Sequence, residues 1–91
     1  ARLEISSSGK ASCIATLYNN GTYDVTIIII LTQDGTPIKS WTVPAQDQYN
    51  ALERFYYVTS GHDYQVTVKA EVRSNGSLER RYSISSSIVH Y

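Results

Sequence analysis

Methionine is absent from this chain of 91 residues, tryptophan and phenylalanine occur once each, and there are one cysteine and two prolines. The lone Cys13 excludes an internal disulfide, so the hydrophobic core must hold the fold by itself. Acidic and basic residues number eight each and are mixed along the chain, which leaves a formal charge of zero. Nucleic acid and anionic membrane surfaces are therefore not expected partners, since both select a basic patch. Long hydrophobic runs are missing too. The longest apolar stretch, Val25 to Leu31, contains Thr26 and is far too short to cross a bilayer, so no membrane insertion is expected.

Glycine is scarce but consistently placed. Its five occurrences are Ser8-Gly9, Asn20-Gly21, Asp34-Gly35, Ser60-Gly61 and Asn75-Gly76, each beside a turn-forming partner and none inside an apolar run. Gly, Asn and Asp supply the positive φ of tight reversals, so these pairs mark where the backbone folds back. Between them lie segments rich in Ile, Val, Thr and Tyr, which pack well on a pleated surface. A chain of this length makes one domain, residues 1–91, burying about 60–65% of its unfolded surface.

Seven extended segments are expected: Arg2 to Ser6, Lys10 to Tyr18, Thr22 to Gln33, Pro37 to Val43, Ala51 to Val58, Asp63 to Arg73 and Leu78 to Val89. Short strands separated by frequent turn signals point to an all-β antiparallel sandwich, here of immunoglobulin-like type. Residues 44–57 also admit a short helix, with Tyr49, Leu52 and Tyr56 at spacings of three and four behind Pro44. The aromatic run Phe55-Tyr56-Tyr57 favours loop plus strand.

Alternation assigns the inward faces. In the sixth segment Tyr64, Val66, Val68, Ala70 and Val72 share one face, and Gln65, Thr67, Lys69, Glu71 and Arg73 the other. The second segment lines up Ala11, Cys13, Ala15 and Leu17, and the seventh Tyr82, Ile84 and Ile88. A plain two-residue Asn75-Gly76 loop would set Val72 against Glu79 and Ala70 against Arg81, forcing charges onto the apolar face. A shift of one residue keeps Ala70 and Val68 level with Tyr82 and Ile84. One such register also pairs Glu71 with Arg81 and Arg73 with Glu79; the other gives Gly76 the left-handed position of a bulge.

The third segment carries more apolar groups than one buried face requires. Val25, Ile27, Ile29 and Leu31 make one face, and Ile28 and Ile30 add apolar groups to the other. Either neighbours such as a Tyr or Trp41 cover them, or that face meets another protein or a second copy of this chain.

Val58-Thr-Ser-Gly61-His-Asp-Tyr64 followed by the alternation to Ala70 resembles the corner between the fifth and sixth strands of immunoglobulin-like and fibronectin type III domains. That resemblance implies that the Tyr64 hydroxyl bonds back to nearby backbone and locks the crossover between sheets. The chain departs from the fibronectin pattern in having no Trp in its second strand, and from antibody domains in lacking paired cysteines. As a whole it is similar to an uncharacterised group of small secreted proteins of Gram-positive bacteria. The shared features are Gly9-Lys10-Ala11-Ser12-Cys13, Lys39-Ser40-Trp41 and Gly61 to Tyr64. This second resemblance implies export and a β-sandwich, and transfers no catalytic or binding residue.

The opening on Ala1 carries the expectation that a preceding segment, such as an export signal, has been removed. A secreted or cell-surface location is expected from this and from the abundance of Tyr, Ser, Thr and Asn. Asn20-Gly21-Thr22 and Asn75-Gly76-Ser77 match the N-glycosylation pattern and are equally ordinary turn sequences.

Chemistry-bearing motifs are sparse. His62 and Asp63 are adjacent, and on extended backbone such neighbours point to opposite sides. No Gly-x-Ser-x-Gly elbow accompanies the serines. Cys13, between Ala11 and Ala15 on an apolar face, reads as a buried and inert thiol. The histidines, cysteine and acids show no zinc or calcium spacing, and no metal or cofactor is expected. Glu4, Glu53, Glu71 and Glu79 read as a solvated outer face rather than a glycosidase pair.

The eight tyrosines are too many for so small a core, so several stay exposed as rigid contact area with a polar tip. Tyr18 and Tyr23 flank the Asn19-Asn20-Gly21 turn at one end of the sandwich. The expected interaction surface is therefore Tyr18, Tyr23, Ile28, Ile30 and Trp41. The expected function is a non-enzymatic module that binds a protein. The alternatives are a saccharide-binding module using exposed Tyr or Trp41 as stacking platforms and, more remotely, a hydrolase.

Overall fold

The computed structural model describes residues 1–18, 24–45, 49–74 and 77–91. These form eight β-strands and no helix: β1 (Arg2–Ile5), β2 (Lys10–Tyr18), β3 (Asp24–Gln33), β4 (Thr36–Pro44), β5 (Tyr49–Tyr57), β6 (Asp63–Ser74), β7 (Ser77–Ser85) and β8 (Val89–His90). One antiparallel sheet has the order β1-β2-β5. The other has the order β4-β3-β6-β7, with β8 also paired to β6. Of residues 44–57, open to a helical reading, Pro44 ends β4 and Tyr49–Tyr57 form β5, paired with β2 along its whole length, while 46–48 lie outside the described residues.

The core lies between the sheets and follows the alternation. From the first sheet come Leu3, Ala11, Cys13 and Ala15; from the second come Ile27, Ile29, Leu31, Tyr64, Val66 and Val68. The small side chains of β2 face the larger ones of β3 and β6, so the two layers interdigitate. Each fully buried Ile, Leu or Val contributes about 1.5–3 kcal/mol relative to its exposed state. Val72, at the far end of the same face, is half-buried.

Two turns show why glycine and aspartate stand where they do. Gln33 pairs with Thr36, leaving Asp34 and Gly35 as a two-residue loop with φ of 50° and 84°. Positive φ at both positions matches the right-handed twist of the strands it joins. Gly9 has φ of 87°, and a Cβ there would lie 2.6 Å from the Val58 carbonyl oxygen.

The β6–β7 hairpin settles its register with a bulge. Ser74 pairs with Ser77 and Arg73 with Leu78, the frame of a two-residue loop. The register then shifts between Val72 and Arg73, with Glu79 as the inserted residue, so that Val72 meets Arg80 and Glu71 meets Arg81. Beyond the shift Ala70 faces Tyr82 and Val68 faces Ile84, as the face assignment requires.

The expectation of seven strands, with the last running unbroken to Val89, is corrected at Ser86. Its N–H donates to the Val66 carbonyl at 2.8 Å, while its hydroxyl accepts the Val66 N–H at 3.0 Å. Gln65 Nε2 donates to the Ser86 carbonyl at 2.9 Å. The side chain of Ser86 thus stands in for a ladder carbonyl, and the chain leaves the ladder until β8 rejoins β6 at Tyr64 and Asp63. Ile88, expected inside, lies in this break and is exposed. Tyr82 and Ile84, also expected inside, stand level with Ala70 and Val68 but are exposed as well.

Tyr64 anchors the crossover from β5 to β6. Its ring is fully buried, and its hydroxyl donates to the Thr59 carbonyl at 2.5 Å and lies 3.2 Å from Gln33 Oε1. Tyr64→Phe keeps the ring and strands the Thr59 carbonyl. Urea unfolding is expected to show a loss of about 1–2 kcal/mol with an unchanged slope.

Candidate functional site

The outer face of the β4-β3-β6-β7 sheet brings together two of the expected surface residues. Ile28 and Ile30 stand side by side at the centre of β3, both half-buried. Ile28 is flanked by Thr42 of β4 and Lys69 of β6, and Ile30 by Ser40 and Thr67. Their partial cover therefore comes from Thr, Ser and Lys neighbours. Trp41 does not supply it: it pairs with Ile29, stands on the opposite, core-facing side and packs against the core. Its ring has Lys39 Nζ 5.8 Å from the centroid. Tyr23 and the Asn19-Asn20-Gly21 turn lie outside the described residues, and of Tyr18 only the backbone, at the end of β2, is described.

A shallow recess of about 510 Å³ opens on this outer face, lined by Ile28, Lys69, Glu71, Arg81, Tyr82 and Ser83. Glu71 is its electrostatic centre. Its carboxylate Oε2 lies 3.3 Å from Arg81 Nε and 3.6 Å from Arg73 Nη2, and its side chain is only 17% exposed. Two guanidinium groups on one sheltered carboxylate leave the rim net positive, with Lys69 adding a further charge beside Ile28.

A second polar group gathers at the end of the sandwich where Asp34-Gly35 turns. Asp34 Oδ2 lies 2.6 Å from His62 Nδ1, and Asp34 Oδ1 accepts the Asp63 N–H at 2.9 Å. The Asp34 N–H donates to the Asp63 carbonyl at 2.7 Å. His90 Nδ1 in turn meets Asp63 Oδ1 at 2.7 Å. The adjacent His62 and Asp63 thus do not act together; each takes a partner from another segment. Asp34 was legible as a turn residue but not as the hub of this cluster, because its partners are distant in the chain.

The Asp63 N–H, followed by the His62 side chain, holds the Asp34 carboxyl below the ordinary carboxylate value. A carboxylate lowered in the folded state contributes stability that is complete above its unfolded value, about 3.9. That contribution is lost as the pH falls through the lower folded value. Asp34→Asn keeps an acceptor oxygen and tolerates the positive φ, but carries no charge. Urea midpoints measured from pH 5 to pH 2 are expected to fall more steeply in the parent than in Asp34→Asn. Parallel curves would count against the assignment.

Each imidazole has an orienting carboxylate on Nδ1, yet among the described residues no hydroxyl or thiol is hydrogen-bonded to either ring. Cys13 is fully buried in the core, and burial pushes its thiol up to about 11, leaving it protonated at neutral pH. Glu4 pairs with Arg2 on β1, whereas Glu71 belongs to the other sheet, so these two acids do not face one another across a cleft. Among the described residues no three His, Cys, Asp or Glu side chains are grouped so as to hold a metal ion.

Aromatic exposure concentrates where alternation alone did not point. Phe55 and Tyr57 share the outer face of β5, with Tyr57 69% exposed and Lys10 Nζ 4.1 Å from the Phe55 ring centroid. No family model, no curated protein and no solved structure matches this chain.

Proposed function

We propose that the protein is an exported, non-enzymatic bacterial binding module, secreted or held at the cell surface, that engages another protein through the outer face of its larger sheet. The single observation carrying this reading is the pair Ile28 and Ile30, half-buried in mid-sheet beside a recess rimmed by Lys69, Glu71 and Arg81. A sheet face turned to water alone needs neither isoleucine. The commitment of His62 and His90 to aspartates, and the protonated state of Cys13, support a role without catalysis.

An immunoglobulin-like relationship belongs to the same proposal. The orders β1-β2-β5 and β4-β3-β6-β7 correspond to an A-B-E sheet and a C′-C-F-G sheet, and the Tyr64 hydroxyl reaches backbone five residues upstream. Both support it. The composition and the resemblance to small secreted proteins of Gram-positive bacteria support the location.

The test is an array of immobilised extracellular proteins probed with the parent and with the double variant Ile28→Thr, Ile30→Thr, alongside light scattering and thermal unfolding. The parent is expected to bind a protein on the array, and the variant to bind it about tenfold or more weakly at unchanged melting temperature. Equal binding by both removes the face from consideration. A parent that is a dimer, and becomes monomeric in the variant, assigns the face to a second copy of this chain.

A saccharide reading has its own observation, the exposed Phe55 and Tyr57 on one face of β5. Trp41 is the poorer platform, because it packs against the core. A glycan-array signal that disappears in Tyr57→Ala would favour this reading, and a blank array would end it.

A further inference from the structure

β5 is an edge strand of the smaller sheet. β2 pairs with one side of it, and among the described residues no strand pairs with the other. The Val58 N–H donates to the Gly9 carbonyl, on the β2 side. Main-chain direction alternates along an unbroken register, so the N–H and C=O groups of Ala51, Glu53, Phe55 and Tyr57 point to the open edge. Proteins blunt such edges with prolines, bulges and charges. On the larger sheet one edge strand, β4, carries Pro37 and Pro44, and the other, β7, has the bulge at Glu79. β5 has neither device. Its two charges, Glu53 and Arg54, leave the edge open but restrict which strand fits it.

The same edge carries exposed aromatic rings on both of its faces. Phe55, Tyr56 and Tyr57 are consecutive and 47%, 36% and 69% exposed. Directly opposed residues of an antiparallel pair share a face. Tyr56 opposes Ala11 and stands on the core-facing side, while Phe55 and Tyr57 oppose Ser12 and Lys10 on the outer side. A partner lying on one face would shelter one set of rings and miss the other. A strand added at the edge shelters both, because its own side chains alternate between the faces.

We propose that the occupant is a second copy of this chain, β5 pairing antiparallel with β5 across a two-fold axis at Phe55. An axis normal to the sheet keeps each face continuous across the junction. Centring it on Glu53 or Arg54 sets like charges directly opposite, which is destabilising. Centring it on Ala51 or Leu52 leaves Tyr56 and Tyr57 beyond the end of the second β5, and centring it on Tyr56 or Tyr57 leaves three strand residues or fewer in register. Phe55 at the axis avoids all of these. Residues 53 to 57 then pair, with Phe55 against its counterpart, Tyr56 against Arg54 and Tyr57 against Glu53. The Tyr56 ring meets a guanidinium, and the Tyr57 hydroxyl lies beside a carboxylate. Because Glu53, Phe55 and Tyr57 all point to the open edge, the junction forms about six main-chain hydrogen bonds. The two smaller sheets become one, and both larger sheets lie on the same side of it. The outer faces carrying Ile28 and Ile30 are untouched and are presented twice in one direction, which makes a binder through that face bivalent.

Sedimentation equilibrium of the full chain up to millimolar concentration tests the proposal, with amide hydrogen exchange as the second readout. A monomer–dimer equilibrium is expected. Exchange at Glu53, Phe55 and Tyr57 is expected to slow about tenfold or more in the dimer, while Leu52, Arg54 and Tyr56, whose amides point to β2, change little. Phe55→Lys sets two cations opposite each other at the axis and is expected to weaken dimerisation about tenfold or more at unchanged melting temperature. Phe55→Cys is expected to crosslink to its counterpart on mild oxidation. Glu53→Cys is not, since the two positions are offset by about 13 Å along the strands. Cys13 is buried and does not compete. The crosslinks also decide the matter if Phe55→Lys folds poorly. The proposal is overturned by a parent that stays monomeric at millimolar concentration, by a dimer that persists in folded Phe55→Lys, or by a crosslink through Glu53→Cys rather than Phe55→Cys. It is also overturned by a dimer that dissociates in the double variant Ile28→Thr, Ile30→Thr, since the outer face would then hold the second copy.

Discussion

Ile29→Ala is expected to destabilise the domain by about 3–4 kcal/mol. Ile29 is fully buried and sits in the middle of the strand, with Trp41 on one side and Val68 on the other. Removing its outer carbons costs their transfer out of water and leaves a void that this site cannot close. β3 is hydrogen-bonded on both edges, to β4 and β6, so its backbone cannot move inward without breaking two ladders. On the facing sheet the buried side chains of β2, Ala11, Cys13 and Ala15, are small and cannot swing across. Small domains have about 5–15 kcal/mol in total, so the variant is expected to fold at 25 °C with a much lower urea midpoint. Ile29→Val, which removes one carbon, is expected to lose about 1 kcal/mol and guards against a variant that fails to fold. A loss below about 1 kcal/mol for alanine would mean that the interior is loosely packed at its centre.

The same alternation that makes Ile29 readable as core explains both what the chain discloses and what it withholds. In β2, β3 and β6 the period of two named the inward residues directly, because each has a neighbouring strand on both sides and a sheet across from it. In β7 the period named the correct face, since Tyr82 and Ile84 do stand level with Ala70 and Val68. It could not reveal that both of them stay exposed. Side is a local property of the backbone, whereas cover depends on groups distant in the sequence. Ser86 illustrates a second limit. A serine in a run of serines carries no signal that its hydroxyl will take the place of a ladder carbonyl and interrupt the strand. Trp41 illustrates a third. Its place in β4 fixes its parity only through the bulge between Leu31 and Thr32, and that shift is invisible in composition. The outer-face pair Ile28 and Ile30 was legible for the opposite reason: two isoleucines on the second face of a strand already full on its first are a surplus that alternation exposes at once.

Gly9→Ala is the second large effect, and it separates two costs that glycine substitutions usually mix. With φ of 87°, the position lies where an L side chain is strained, a penalty of about 1–2 kcal/mol. The new Cβ would also lie 2.6 Å from the Val58 carbonyl oxygen, which is backbone and cannot rotate away. Relief requires moving the segment after β5 off the β1–β2 turn, which strains the hydrogen bond from the Val58 N–H to the Gly9 carbonyl at 2.8 Å. Losing that bond adds about 1 kcal/mol, so the total is expected near 3 kcal/mol. Gly35→Ala provides the comparison: its φ is 84°, but nothing lies within 4 Å of the added carbon. That variant is expected to lose only the conformational part, about 1 kcal/mol. Urea unfolding of the two variants side by side reads the steric contribution as their difference. Equal losses would show that the approach of Val58 to Gly9 yields without cost, and that this end of the sandwich is held by the Tyr91 hydroxyl on the Ser7 carbonyl and by the Asp34 cluster rather than by close backbone packing.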